Sequence, residues 1–535
     1  MKNVYDFVLR NCTIMDGTGG PAYSGDICVQ DGKIARICDC YDGECEKQID
    51  CAGLITAPGF IDMHSHSDVC PFGENFPDSK ILQGITTELC GNCGVGSIGM
   101  ADKDHKLLAK SIWELYEQEP GKNGDGCYNT LSEYKEAVEK LGYPSNIAML
   151  AGHGPVRERV LGNENRAPDA AELLKMQEEL ESLLKEGAFG LSYGLIYPPG
   201  SFSKSDELIA LAEVCAKNDA FVAVHMRSEG LEILEAFDEM VDVARASGAR
   251  LEISHLKILT KKLWGKSVEL IDKMDKARAE GIDIHCDQYP FTASNTVAAA
   301  LLPREALAGS KAKLLFKLFF PSKETLAAVD RTIDERGGPE SVLISQTGGR
   351  YPDYEGKTLQ EISDEYGIEP AKLVVKMVRT VFTAAKAFFF CISRDDMLNF
   401  MRQPYVCVGS DGSAYSFDHI EDLMPHPRNL CTYPEYIRTI RETGVLSLEE
   451  AVRRMTGLPA EIMGLGDRGL LREGMAADIT VFNFDTARGI DLYKKSPGKP
   501  EGIEYVIVNG ETVVDRGRVT GAKPGKVLLK NTAQA

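Results

Sequence analysis

The stretch Pro58-Gly59-Phe60-Ile61-Asp62-Met63-His64-Ser65-His66-Ser67-Asp68 decides how this chain folds. It opens as an apolar run, Gly59 to Ile61, and closes on two histidines one residue apart. In extended backbone, residues i and i+2 face the same side. His64 and His66 can therefore offer two imidazoles to one point, and imidazole is a common ligand for a divalent metal. The competing reading is two polar residues at a strand end, and the rest of the chain decides between them.

Seven further apolar runs follow: Ile85 to Leu89, Ile147 to Leu150, Phe189 to Leu191, Phe221 to Val224, Leu251 to Ile253, Ile282 to Ile284 and Tyr405 to Val408. Helical periodicity fills several of the gaps, over His105 to Tyr116, Ala170 to Leu184, Leu208 to Ala216, Ile233 to Ala246 and Val268 to Ala279. Ser205 before Asp206-Glu207 reads as an N-cap followed by acids in the first turn. Such alternation predicts a parallel sheet, and eight strands suit a (β/α)8 barrel. Residues 300–400 blur the pattern and read as an insertion before the last strand, either a lid or extra helical packing.

The two ends of the chain read differently. Ile27 to Gln30, Asp31-Gly32 and Lys33 to Ile37 make a hairpin signal, since Asp-Gly supplies a two-residue turn. Tyr505 to Val508, Asn509-Gly510 and Glu511 to Val514 repeat it. One small β domain built from both termini is expected, with parts at 1–57 and 465–535 around a barrel domain at 58–464. Ser447-Leu448-Glu449-Glu450 opens a helix with a capping-box signature.

The polar exceptions gather where the apolar runs end. Strand one ends at His64 and His66, strand two in Cys90-Gly91-Asn92-Cys93-Gly94, strand five at His225, strand six at His255 and the last at Gly409-Ser410-Asp411-Gly412. In a parallel barrel these ends meet on one face, where active sites form. The chain has nine histidines, and four of them fall at predicted strand ends. With a cysteine and an aspartate beside them, a metal site outweighs isolated capping or core histidines. The mix suits zinc, which acidifies a water towards pKa ~7. Asp411, the acid at the last strand end, is the candidate to carry that proton, against a plain role in an Asp-Gly turn. Lys257, two residues after His255, could pair with an anionic group of a substrate or lie solvated. Tyr289 closes strand seven and could donate a hydrogen bond or merely pack. Cys38, Cys40, Cys45 and Cys51 lack a standard zinc-finger spacing.

Composition bounds the rest. The chain has 535 residues, 43% of them hydrophobic, and a net charge of −20. That balance argues against a nucleic-acid or anionic-membrane surface. No apolar run approaches a membrane span, and no signal peptide is read at the N-terminus. Fifteen scattered cysteines, an odd number, suggest reduced thiols in a cytoplasm.

The sequence resembles the N-acyl-D-amino-acid deacylases (D-aminoacylases) of the amidohydrolase superfamily. The segments that carry the likeness include PGFIDMHSHSD at Pro58, GITTELCGNCG at Gly84, GHGPVR at Gly152, HMRSE at His225, ISHLK at Ile253, DQYPFTAS at Asp287, VGSDG at Val408 and HPRNL at His426. The resemblance implies a barrel plus a β-sandwich and a zinc site in which Cys93 stands where many relatives use a carboxylated lysine. His225 and His255 would complete the tight site. His64 and His66 would hold a second, weaker metal or support the first. Asp411 would be the catalytic acid/base, and Lys257, Tyr289 and Ser294 would face the carboxylate of a small-molecule substrate, an N-acylated amino acid of D configuration. The likeness weakens over 300–400, in Leu301-Leu302-Pro303-Arg304-Glu305 and at Cys431. A cyclic-amide hydrolase of the hydantoinase kind would supply a lysine near the end of strand four, where this chain reads Phe189-Gly190-Leu191-Ser192-Tyr193. A non-catalytic binding protein on the same fold would have lost ligands, and none is lost here.

Overall fold

The structure is a computed structural model that describes residues 4–100, 124–303, 318–381, 384–421 and 423–530. The expected helix at His105 to Tyr116 lies outside them.

Eight parallel strands form a ring: β1 (Phe60–Asp62), β2 (Ile85–Cys90), β3 (Asn146–Met149), β4 (Gly190–Gly194), β5 (Phe221–His225), β6 (Arg250–Ile253), β7 (Ile284–Gln288) and β8 (Val406–Val408). Neighbours pair in sequence order, all in parallel. The extension Ala151–Gly152 joins β3 to β4. β8 closes back on β1, with Met63 N donating to Val408 O at 3.3 Å and Asp411 N to His64 O at 2.7 Å. The interior is packed solid by Ile61, Leu89, Ala148, Phe189, Phe221, Ala223 and Cys407, with Leu458 and Ile462 among its members. A ring of amphipathic helices covers the outside, including Ala170–Lys185, Ser205–Lys217, Ile233–Ser247 and Ser267–Ala279. The fold is the α/β barrel that the alternation predicts.

Two strands depart most from expectation. β4 and β7 run further than their apolar runs, through Ser192 and through His285, Asp287 and Gln288. Polar side chains carried inside the barrel do not register as a hydrophobic run. Ser205 is the first helical residue rather than the cap. Lys204 occupies that place and makes no side-chain capping bond, while Asp206 and Glu207 do sit in the first turn. Ser447 caps as expected, its side chain accepting from Glu450 N.

Both ends of the chain enter one nine-stranded sheet. Tyr5–Ile14 lies beside Ile55–Pro58, which pairs with Ile479–Phe482, followed by Ile503–Val508 and Glu511–Asp515. Phe7, Leu9, Ile27 and Val29 share a core with Ile479, Val481, Tyr505 and Ile507. The two hairpin turns touch. A Cβ on Gly510 would lie 2.5 Å from Gly32 Cα, and both glycines have positive φ, so only glycine fits where the turns cross. Val527–Leu528 then leaves this sheet and pairs in parallel with β3 of the barrel.

Between β7 and β8 the insertion builds a three-stranded antiparallel sheet, Ser294–Val297, Ala385–Phe389 and Val342–Thr347, with helices Lys323–Glu335, Leu359–Tyr366 and Pro370–Val381. Its apolar core includes Tyr289 and Phe291 from the end of β7. The insertion is thus a packed unit seated against the rim that carries the polar cluster. Among the described residues no helix is long and apolar enough to cross a membrane. The fifteen cysteines are all free thiols.

Candidate metal centre

Cys93 Sγ is the hub of the strand-end cluster. It lies 3.3 Å from His64 Nε2, 3.4 Å from His255 Nε2 and 3.6 Å from His225 Nδ1. Asp411 Oδ1 stands 3.6 Å from His64 Nε2 and 3.2 Å from His66 Nε2. His64, Cys93, His255 and Asp411 each place one donor atom within 4.8 Å of the others. Six residues spread over 348 positions of sequence therefore converge, and all are buried.

Backbone geometry marks the same residues. Cys93 (φ 56°), His255 (φ 39°) and Asp411 (φ 52°) sit in the left-handed region, which side-chain-bearing residues rarely enter. Such strain persists where surrounding structure imposes it, and it clusters at functional sites. Each of these residues follows the end of its strand, so the left-handed turn swings the side chain back over the barrel mouth. Gly409 makes room for the approach: a Cβ there would lie 2.5 Å from Asp287 Oδ1 and 2.7 Å from His64 Cβ.

A second layer of carboxylates fixes the imidazoles. Asp287 Oδ2 lies 3.1 Å from His64 Nδ1, and Asp287 Oδ1 accepts from His255 N at 2.9 Å. Glu229 Oε1 lies 3.0 Å from His255 Nδ1, and its other oxygen 3.5 Å from His225 Nε2. Asp287 holds His64 and Glu229 holds His255 by one ring nitrogen and leaves the other aimed at Cys93, the arrangement that orients metal-ligating histidines, while His225 Nε2 stands beyond hydrogen-bond reach of Glu229. Neither acid was assigned from sequence. Glu229 stands four residues after His225, and Asp287 lies within β7, beyond the apolar run Ile282 to Ile284.

Arg428 was missed as well. Its Nη1 donates to Asp411 Oδ2 at 2.7 Å, and its backbone N donates to His426 Nδ1. His426 is packed among Tyr289, Phe291, Phe388 and Tyr493, which joins the insertion to this arm of the site. Lys257 Nζ lies 2.6 Å from Glu229 Oε1, 2.8 Å from His255 Nδ1 and 3.0 Å from His255 O. It and Arg428 both approach the Tyr289 ring, at 5.7 Å. The Ser294 hydroxyl is buried and makes no hydrogen bond among the described residues. Lys257 and Tyr289 thus lie together on the Arg428 side of the cluster.

The electrostatics favour a cation. Burial would raise the Cys93 thiol, but the His64 and His255 imidazoles pull it well below its ordinary value. Burial likewise works against ionisation of Asp411, and Arg428 with His255 overrides it. Burial lowers His64, yet Asp287 and Cys93 hold its pKa well above the usual range. A buried thiolate and carboxylate thus draw protons onto the neighbouring rings. A cation that displaced those protons would meet one thiolate, neutral imidazoles and a carboxylate, a donor set that fits zinc.

Such a cluster on the C-terminal rim of a closed parallel barrel defines a barrel protein with a candidate catalytic metal centre. The chain belongs to the amidohydrolase family, whose family model matches residues 47–309 and 397–514. The gap falls on the insertion. The chain is 30% identical over 537 residues to an N-acyl-D-glutamate deacylase of Alcaligenes xylosoxydans xylosoxydans, covering 100% of this chain and 99% of that protein. It is 31% identical over 533 residues to an N-acyl-D-aspartate deacylase of the same organism, covering 99% and 96%. The crystal structure of N-acyl-D-glutamate deacylase from Bordetella bronchiseptica is similar with a TM-score of 0.82 at 29% identity, over 98% of this chain and 100% of that one. It holds zinc and a phosphonate inhibitor that mimics the tetrahedral intermediate of its reaction.

Proposed function

We propose that this protein hydrolyses the amide bond of N-acyl-D-amino acids and releases a carboxylate and a free D-amino acid. The observation that carries the reading is the convergence of three imidazole nitrogens on Cys93 Sγ, with Asp411 at the same point. The D configuration and the linear amide are supported by the relatives acting on N-acyl-D-glutamate and N-acyl-D-aspartate.

In this reading Cys93, His225 and His255 hold a zinc ion tightly, and His64 and His66 support it or hold a second, weaker one. The ion supplies Lewis-acid chemistry, polarising the acyl carbonyl and acidifying a water. Asp411 accepts the proton of the attacking water and delivers it to the departing amine nitrogen as the C–N bond breaks. Its oxygens divide the work. Oδ1 faces the imidazoles, while Oδ2 is held by Arg428. Lys257, Tyr289 and Ser294 face the substrate carboxylate. We take 58–464 as the catalytic domain and 1–57 with 465–535 as the flanking β domain, with the exception of Val527–Leu528, which pairs with β3 of the barrel. The substrate is a small molecule, and the compartment is the cytoplasm.

The test is a hydrolysis screen of N-acetyl D- and L-amino acids with added zinc. Turnover of the D series is expected. Turnover confined to L substrates or to cyclic amides would overturn the reading. The β4 sequence Gly190-Leu191-Ser192-Tyr193-Gly194 supplies no lysine for a cyclic-amide hydrolase.

A further inference from the structure

We propose that Lys80 is a positioning residue for Asp411. It would set where that carboxylate stands without touching substrate. The inference rests on the amide-hydrolase reading above.

Lys80 lies in the connection between β1 and β2 and is 1% exposed. Its Nζ lies 2.7 Å from Asp62 Oδ2, 2.7 Å from Ser410 Oγ and 2.8 Å from Gly412 O, with Glu88 Oε2 at 3.7 Å. Ser410 and Gly412 are the residues on either side of Asp411. One ammonium therefore grips both flanks of a residue whose backbone is left-handed.

The grip continues into the ligand strands. Ser410 Oγ donates to Asp62 Oδ2 at 2.6 Å and accepts from Gly412 N at 3.1 Å. Asp62 Oδ1 accepts from Ser410 N at 2.8 Å and from His64 N at 3.2 Å. Glu88 takes the hydroxyls of Ser65 and Ser145, each at 2.7 Å. Residues from β1, β2 and the loop after β8 are thus tied through one buried cation. The neighbouring residues repeat the arrangement: Ser79 N donates to Tyr415 O, and Asp78 Oδ1 accepts from Phe417 N.

A buried lysine is costly to desolvate, and removing one partner of such a pair leaves charges stranded. A hydrophobic side chain would fill the volume as well. Three converging acceptors around a strained neighbour make sense where placement of a reacting group is at stake. A misplacement of about 1 Å is enough to cost about 100-fold in rate.

The test uses the full-length zinc-loaded protein, with Lys80→Met and Ser410→Ala compared with the parent on an N-acetyl-D-amino acid. Lys80→Met should lose about 100-fold in kcat and Ser410→Ala about tenfold, with KM held within about twofold and zinc content unchanged. The solvent deuterium isotope effect on kcat should rise in both, because a displaced proton carrier makes proton transfer more limiting. A merely structural lesion lowers the active fraction and leaves that isotope effect alone. Unchanged kcat, an unchanged isotope effect, or a loss that tracks lost zinc would overturn the proposal. If Lys80→Met fails to fold, Ser410→Ala decides, since it keeps the Lys80–Asp62 pair. A parent enzyme inactive on every N-acetyl-D-amino acid would instead overturn the function proposed above.

Discussion

Arg428 Nη1 sits 2.7 Å from Asp411 Oδ2, on the oxygen that faces away from the imidazoles. The guanidinium therefore acts on the acid that the proposed reaction depends on. Burial alone would raise the Asp411 pKa, and Arg428 is the first of the charges that hold it well below the carboxylate range. A base with a depressed pKa keeps its proton-accepting form to lower pH. Arg428→Met should therefore move the acid limb of the kcat/KM profile to higher pH and lower its plateau about tenfold. A pH–rate series on both proteins checks the direction.

Cys93→Ser keeps the size of the side chain and removes the soft donor. Zinc bound per chain should fall, and kcat/KM with it by about 100-fold or more. Elemental analysis of the purified variant, read beside its rate, checks the pair. Full zinc occupancy with full activity would remove Cys93 from the ligand set.

Glu229→Gln and Asp287→Asn leave every direct donor in place and weaken only the groups that orient the rings. Each should cost about 10–100-fold in metal affinity. Competition with a chromogenic chelator measures it. Glu229→Gln should be the more complex case, because Lys257 Nζ also leans on that carboxylate at 2.6 Å.

Chelation should make stability depend on pH in a defined window. Burial and Lys257 lower the His255 pKa, but Glu229, Asp411 and Cys93 outweigh them and raise it to about 9 in the metal-free protein. A folded pKa above the unfolded value of about 6.5 stabilises fully below pH ~6.5 and is lost as pH rises through ~9. The melting temperature of chelated protein should therefore drop between pH 6.5 and 9. The zinc-loaded form should show less of this drop, since a ligating imidazole has already given up its proton.

Much of the barrel and its cluster was readable because the polar residues interrupt apolar strands at their ends. His64, His225 and His255 stood out against Val, Ile and Leu. Asp287 and Ser192 did not, because they lie inside strands whose interior faces turn polar near the rim, and an apolar-run criterion stops short of them. Glu229, Arg428 and Lys80 were invisible for another reason. Each acts through a partner on another element, 17 residues away for Arg428 and Asp411 and 330 for Lys80 and Ser410, and no motif spacing encodes such a pair. The hairpins at Asp31-Gly32 and Asn509-Gly510 were legible as turns. Their crossing was not, since only the tertiary structure brings Gly32 against Gly510.

The sheet shared by the two ends of the chain has a consequence for synthesis. Ile55–Pro58 finds its neighbour Ile479–Phe482 only after some four hundred further residues have been added. At ribosomal rates of about 5–20 residues per second, that edge stays open for roughly 20–80 s. During that interval the nascent protein carries an unfinished β surface beside a barrel that is itself still missing its last strand. Chaperone demand and aggregation during expression should therefore peak late in elongation, and truncations ending before Ile479 should be the ones that fail to accumulate.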